Sequence, residues 1–246
     1  MIKNKLVHLT LGELKRLNKY HVTTVSIGLA FIWFLLLFFI DDQDILAQML
    51  PLVIIVDTTM MSMIYVGAVM FFEKTEKTIS TMLVSPVKKS DIVLSKVIAN
   101  TIFQTLSTLL LVMVFYVVKG IDISIVLIIM AMVISVVFHT LLGFVFSYHS
   151  KDFTSMLVNV MMYAFLISFP AFFYQFELIF KGDFFKYFLV LSPTQSSFNV
   201  ISLGFLKSLN LEIYLSLFLL IIGSVFLYLF YVLPKYKDYA VRESGV

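Results

Sequence analysis

The chain has 246 residues, 61% of them hydrophobic and 13% charged, with a mean hydropathy of +1.01. This composition predicts a single-domain, all-α membrane protein over residues 1–246. The lack of cysteine excludes a disulfide framework and thiolate chemistry, and the net charge of +3 is spread over separate loops, which indicates membrane orientation rather than a nucleic-acid partner.

The first predicted element is an amphipathic helix over residues 1–21. At about 100° per residue, Lys5, Lys15, Arg16 and Lys19 fall within one arc, and apolar side chains occupy the other side. The pattern favours a helix that lies in the membrane interface with its cations near anionic headgroups. A solvated helix packed on another domain is the alternative. No cleaved signal peptide is expected, because a mixed segment precedes the first long apolar run.

Six apolar runs predict six transmembrane helices. Their approximate bounds are 22–40, 47–72, 92–118, 123–148, 154–176 and 212–233. If the N-terminus is cytosolic, the inner segments carry 14 of the 18 Lys and Arg residues and the outer segments carry four. The positive-inside rule therefore predicts a multi-pass plasma-membrane protein with both termini in the cytosol.

A charged stretch separates the second span from the third. Within it, Ile79, Met82 and Leu83 have helical spacing, Pro86 ends the helix, and Ser90 can cap the next one. The pattern predicts a short amphipathic helix on the cytosolic side, with the three apolar residues as its contact edge. An ordinary loop whose lysines only set topology is the alternative interpretation.

The stretch FFEKTEKTISTMLVSPVKKSDIVLSKV resembles the signature of ABC-2-type transporter permeases. In that family an EKE-x-GT-x-E stretch, a Leu-x-x-Ser-Pro-Val turn and a downstream lysine follow the second span. The matching positions in this sequence are Glu73, Lys74, Glu76, Lys77, Thr78, Leu83, Ser85, Pro86, Val87 and Lys96. Two departures stand out: Lys77 occupies the place of the usual glycine, and Ser192 replaces the asparagine that usually precedes the proline at Pro193.

The resemblance implies that residues 73–90 form a coupling segment that docks on a separate ABC ATPase. The residues implied in coupling are Glu73, Glu76, Lys77, Thr78, Ile79, Met82, Leu83, Ser85 and Pro86. It also implies two ATPase copies, which bind ATP and Mg, and a second permease, identical or similar. The chain itself is expected to lack ATPase activity, catalytic residues, cofactors and metals, since it contains no G-x-x-x-x-G-K-[ST] motif.

Between residues 177 and 210, two short apolar pieces are interrupted by Gly182, Pro193 and Gly204. Pieces of that length suit a re-entrant hairpin that dips into the outer leaflet better than a full crossing. Such a hairpin must satisfy its interrupted backbone against protein, so it is expected to pack on the spans. The resemblance implies the same extracellular hairpin before the last span.

Polar residues inside the predicted spans are candidates for a transport pathway: Asp57, Asn100, Gln104, His139 and Asn159. Asp57 lies about 16 Å deep at 1.5 Å per residue, so it is a candidate for binding a cationic substrate, relaying protons or pairing across a dimer. A structural role, with the carboxyl group bonded to Thr58 or Gln104, is the preferred interpretation. Hydrogen bonding between helices is preferred for the other four residues.

The resemblance, which is greatest to small drug-export permeases, implies the permease subunit of an ATP-driven exporter of drug-like compounds. Aromatic residues make up 16% of the chain and would favour hydrophobic or amphipathic cargo. Export of antimicrobial or toxic peptides or lipids is the alternative within the family. An ATP-independent secondary transporter is the alternative from another class, but the two halves show no inverted repeat. An intramembrane protease is disfavoured because Asp57 lacks a second aspartate within the spans and no H-E-x-x-H motif occurs.

Overall fold

The computed structural model describes residues 2–176, 178–179 and 182–244. All regular secondary structure in these ranges is helical, as the composition predicts. The helices in chain order are α1 (Ile2–Lys19), α2 (Val22–Phe38), α3 (Gln43–Val56), α4 (Ser62–Thr75), α5 (Thr78–Val84), α6 (Lys89–Lys119), α7 (Ile125–His149), α8 (Phe153–Tyr163), α9 (Phe169–Gln175), α10 (Asp183–Phe188), α11 (Pro193–Leu206), α12 (Leu211–Phe226) and α13 (Leu233–Ser244).

Three π-helical turns join neighbouring helices into longer stretches. Asp57–Met61 joins α3 to α4, Ala164–Ser168 joins α8 to α9, and Leu227–Val232 joins α12 to α13. Each π-helical turn lies within a single apolar run, so the run continues through it. The predicted second and fifth spans are therefore each built from two α-helices and a π-helical turn. The predicted sixth span, 212–233, consists of α12 and its π-helical turn, and the helix continues beyond it as α13.

By length and composition, five helical stretches in the described residues can cross a membrane: Ile45–Thr75, Lys89–Lys119, Ile125–His149, Phe153–Gln175 and Leu211–Arg242. A sixth is present if α1 and α2, which are bent by 65° at the break between them, count as one span. His21 has φ 59°, in the left-handed region, and so interrupts the helix at that break. Six spans were predicted, and the described residues contain five to six membrane-length helices.

Helix α7 lies at the centre of the bundle, where it packs against α4, α6, α11 and α12. Gly143 allows α4 and α7 to approach closely, because a Cβ atom there would lie 2.5 Å from Cγ1 of Val66 and 2.9 Å from the Met63 backbone. Small residues at helix crossings are typical of membrane bundles, since packing rather than water exclusion holds the helices together. This close packing gives the two ends of the bundle a common rigid centre.

The segment that contains α5 and the segment that contains α11 lie at opposite ends of the bundle. Helix α11 packs on α3, α7 and α12, and the Gly204 carbonyl accepts a hydrogen bond of 2.8 Å from the amide of Ser124, just before α7. Helix α5 instead packs on α13 and α4. Within residues 177–210, helix α11 thus packs on the spans as predicted, and residues 177, 180 and 181 lie outside the described ranges. Entry of this segment into a leaflet stays a prediction.

Candidate functional site

Four charged side chains meet where α1, α4 and α6 come together, and we call them the buried ion network: Glu13, Arg16, Glu73 and Lys96. Lys96 Nζ donates hydrogen bonds of 3.1 Å to both carboxylate oxygens of Glu13, and it also donates to Glu73 Oε1. Arg16 Nη1 donates to Glu13 Oε1 and to Glu73 Oε1, each at 2.7 Å. Two cations and two anions make the network neutral overall.

Three members of the network lie inside the protein, and the side chain of the fourth, Arg16, is 32% exposed. The exposed fractions are 5% for Glu13, 2% for Glu73 and 3% for Lys96. Charges removed from water this completely are tolerated only when they are paired and hydrogen-bonded, and removing one partner leaves the others uncompensated. The network therefore fixes the relative positions of the first helix, the end of the second span and the start of the third.

Sequence reasoning found only part of this network. Glu73 and Lys96 belong to the motif, but nothing in the motif indicated that they pair with α1. The sequence placed Arg16 only among the interfacial cations of α1, and the structure adds that its guanidinium group pairs with these carboxylates. Glu13 was missed, although it is the single acidic residue in the 1–21 segment. That isolated negative charge on a basic helix was the available signal.

A second, exposed pair of contacts joins α1 to the segment after α4. Lys19 Nζ donates to Glu76 Oε1 at 2.7 Å, and the Tyr20 hydroxyl donates to Glu76 Oε2 at 2.8 Å. These two hydrogen bonds, with Lys19 contributing most, hold the pKa of the Glu76 carboxyl group below its ordinary value. The contacts therefore stabilise the folded state at neutral pH and are lost when the pH falls low enough to protonate Glu76.

Lys77 forms the turn that leads into α5. Its backbone has φ 55° and ψ 24°, in the left-handed region that glycine occupies without steric cost. The family pattern usually has a glycine here, and the left-handed backbone gives the physical reason for that preference. Lysine adopts the same turn in this chain, so the departure noted in the sequence leaves the local geometry intact.

The inner face of α5 packs on the protein itself. Ile79 is 3% exposed and belongs to the same apolar cluster as Tyr236 and Tyr239 of α13. This corrects the prediction that Ile79 forms an exposed contact edge. Met82 is half-buried against this cluster, and its sulfur lies 4.0 Å from Arg16 Nη1. The side chain of Leu83 lies outside the part that the structure describes.

The exposed apolar end of α5 is Val84. Its exposed fraction is 85%, and no large hydrophobic side chain in the described part of the chain is more exposed. Ser85 turns the backbone to the extended region, which ends the helix, and Pro86 follows as an exposed residue. Sequence spacing missed Val84 because α5 has only seven residues, so its termini determine its surface more than its periodicity does.

Asp57 lies in the π-helical turn of the second span and is 7% exposed. Gln104 Nε2 donates to its Oδ2 at 2.9 Å, and the hydroxyl of Thr108 donates to the same oxygen. Thr58, the other partner considered from the sequence, donates instead to the carbonyl of Ile54 at 2.7 Å. The Asp57 carboxyl group thus links the second and third spans by hydrogen bonds.

The other polar residues of the spans also have partners. Asn100 Nδ2 donates to the Ser62 carbonyl at 3.0 Å and to Thr140 Oγ1 at 2.8 Å, which links three spans. The remaining contacts are His139 Nε2 with the Tyr163 hydroxyl at 3.1 Å, His139 Nδ1 with the Ser135 carbonyl at 2.9 Å, and Asn159 Nδ2 with Ser150 Oγ at 3.0 Å. Asn159 therefore bonds to the loop after α7 and not to a helix.

Comparison with known families gives one match. A family model described as ABC-2 type transporter matches residues 10–206. The matched range contains the buried ion network, all of α5 and all of α11. No curated protein and no solved structure matches the chain.

Proposed function

The chain belongs to the ABC-2 type transporter family and is a membrane component of such a transporter, and on that premise we propose that it forms the pathway for ATP-driven export of hydrophobic or amphipathic compounds. The partner is an ABC ATPase, which the family implies. In the proposed assembly, two permeases, identical or similar, bind two ATPases that hold ATP and Mg. This chain supplies the pathway and receives the movement.

The observation that carries the proposal is the position of α5. Its inner face packs against α13, and its Met82 touches the buried ion network, while Val84 and Pro86 are exposed at its end. An exposed apolar residue with charged neighbours suits docking to another protein, since interfaces combine an apolar centre with a polar rim. The segment 73–90 is therefore the proposed docking site for the ATPase.

The proposed transmission of movement follows from the same contacts. A displacement of α5 moves Ile79 and Met82 with it. Ile79 packs in the cluster that contains α13 residues, and Met82 contacts Arg16 of the ion network. The network in turn connects α1, α4 and α6 through short charged hydrogen bonds. Because this link is buried and paired, it transmits displacement to the spans without a flexible intermediate.

In the proposed topology, residues 73–90 and both termini are cytosolic, and residues 177–210 are outside. The Lys/Arg asymmetry favours this orientation. With cysteine placed singly in the cysteine-free chain, we expect Ser208→Cys to react with an impermeant maleimide added to intact cells. Thr81→Cys should react only after permeabilisation. Both native residues are exposed, so accessibility within the fold is matched. Labelling of Thr81→Cys in intact cells would reverse the proposed topology.

The function is tested by transport in inside-out vesicles that contain the permease with its co-purifying ATPase. We expect uptake of a fluorescent amphipathic dye that requires ATP and stops with a non-hydrolysable analogue. A secondary transporter would instead purify without an ATPase and would respond to a proton or sodium gradient. ATP-dependent uptake of a peptide or lipid, with no uptake of dyes, would favour the alternative cargo within the family.

A further inference from the structure

A cavity of about 400 Å³ lies at the 177–210 end, between α3, the end of α9, α11 and the start of α12. Aromatic side chains form much of its wall: Tyr174, Phe176, Phe198 and Phe205. Concave sites of this size, apolar with a few polar groups, are typical of small-molecule binding. None of its lining residues belongs to the buried ion network or to the Asp57 link.

One buried polar group in this cavity lacks a partner. Gln195 lines the wall and is 2% exposed. Its Nε2 donates to Asn199 Oδ1 at 2.9 Å, and Asn199 Nδ2 donates to Ser216 Oγ at 3.0 Å. Gln195 Oε1, in contrast, has no hydrogen-bond partner among the described residues. A buried acceptor left unpaired costs free energy, so a ligand with an N–H donor would be favoured here.

Glu212 is the only charged residue among the described residues that line the cavity. Its side chain is 17% exposed, and its Oε1 lies 2.7 Å from Nζ of Lys186 in α10. A carboxylate can accept several hydrogen bonds, so this single ion pair leaves acceptor capacity for a further cation. Lys186 is the more exposed partner, at 36%, and can therefore be exchanged at low cost.

We propose that this cavity binds amphipathic cations that carry an aromatic body, an N–H donor and a positive charge. The aromatic wall accommodates the body and also favours a cation. Gln195 Oε1 accepts the N–H group, and the Glu212 carboxylate compensates the charge in place of Lys186. This proposal adds a ligand class to the proposed function. That the bound cation is then exported rests on the proposed function.

Binding is measured with purified permease in nanodiscs, without ATP or ATPase, by fluorescence titration with ethidium, a planar aromatic cation with two amino groups. We expect Glu212→Gln to weaken binding by about tenfold, as for loss of a charge-assisted hydrogen bond. Lys186→Gln should strengthen binding, because it removes the competing cation. Asp122→Asn is the matched control, since Asp122 pairs with Lys207 at 2.6 Å, does not line the cavity, and should leave binding unchanged.

A second probe tests the hydrogen bond. Tetraphenylphosphonium is an aromatic cation without N–H groups. Gln195→Leu should therefore weaken the binding of ethidium and leave the binding of tetraphenylphosphonium unchanged. Opposite shifts in Glu212→Gln and Lys186→Gln cannot arise from a general folding defect. Equal binding by wild type and Glu212→Gln would overturn the proposal. Weakening by both Glu212→Gln and Lys186→Gln would also overturn it, because the ion pair would then act only by holding the cavity in shape.

The fates of the two proposals are separable. If the transporter exports another cargo with ATP but the permease does not bind ethidium, the ligand class is wrong and the exporter function stands. If ethidium binds with the expected variant pattern but no ATP-dependent export occurs, the binding site stands and the exporter function is wrong.

Discussion

Lys96→Met is expected to lower the unfolding free energy by about 3–5 kcal/mol, the usual range for breaking a buried ion pair. Lys96 is 3% exposed. Like Arg16, it contacts both carboxylates of the network. Without it, Glu13 and Glu73 share one guanidinium group, and one negative charge stays uncompensated in the interior. For a chain of this size the thermal midpoint should fall by about 10 °C.

The matched control is Lys119→Met, at the other end of the same helix. Lys119 also forms an ion pair, with Asp41 at 3.3 Å, and donates to the carbonyl of Ile40 at 3.1 Å. Its own side chain is 17% exposed, but that of Asp41 is 98% exposed, so removing Lys119 leaves no buried charge uncompensated. This variant should therefore shift the midpoint much less than Lys96→Met does. Both midpoints can be followed by the loss of the monodisperse size-exclusion peak after heating in detergent.

A compensating change separates charge from packing. Adding Glu13→Gln to Lys96→Met restores neutrality and leaves Arg16 paired with Glu73 at 2.7 Å. The double variant should therefore recover part of the lost stability. If it is no more stable than Lys96→Met alone, the stem of Lys96 stabilises by packing, and the network contributes nothing through charge.

The membrane architecture could be predicted from the sequence because it depends on the solvent more than on tertiary contacts. A span needs about 20 apolar residues whatever it packs against, so the predicted bounds lie within three residues of the helices at every end but one. The exception is the sixth span, which was predicted to end at 233 and continues as a helix to Arg242. The π-helical turn at Asp57–Met61 could not be predicted, because apolar content is similar on either side of it. Its position depends on the contacts of the surrounding helices.

The candidate site was only partly predictable for a different reason. Glu13 and Lys96 are separated by 83 positions, and no local pattern indicates that two charges so far apart will meet. Similarly, Ile79 and Val84 are both apolar residues of a short helix, and only the position of α13 determines that Ile79 is buried and Val84 exposed. Periodicity gives the spacing of side chains but not the face that a neighbour will cover.

Val84→Asp is expected to weaken the proposed complex with the ATPase by about a hundredfold, the effect of placing an unpaired carboxylate in an apolar contact. Its side chain is 85% exposed in the permease, so the substitution removes no internal packing. Met82, another residue of the predicted contact edge, is a less clear target, because it packs against the protein's own cluster. The variant should insert and unfold as the wild type does.

Two controls identify what the aspartate disrupts. Val84→Thr keeps the shape without a charge and should retain most ATPase binding. Val241→Asp introduces the same charge on α13, which packs against α5, at a residue that is 38% exposed, and should leave binding unchanged. Co-purification with the ATPase from detergent extracts, with the permease quantified on the same gel, measures all three variants.

The pattern of the three variants decides between a docking site and a loop that only sets topology. Loss of the ATPase with Val84→Asp alone would place the exposed end of α5 in the interface, and ATP-driven transport should fall in parallel. Full ATPase binding by Val84→Asp would mean that α5 contacts no partner at this residue. The link from α5 through Met82 and Arg16 to the ion network would then serve stability alone, and the proposed route of coupling would be wrong.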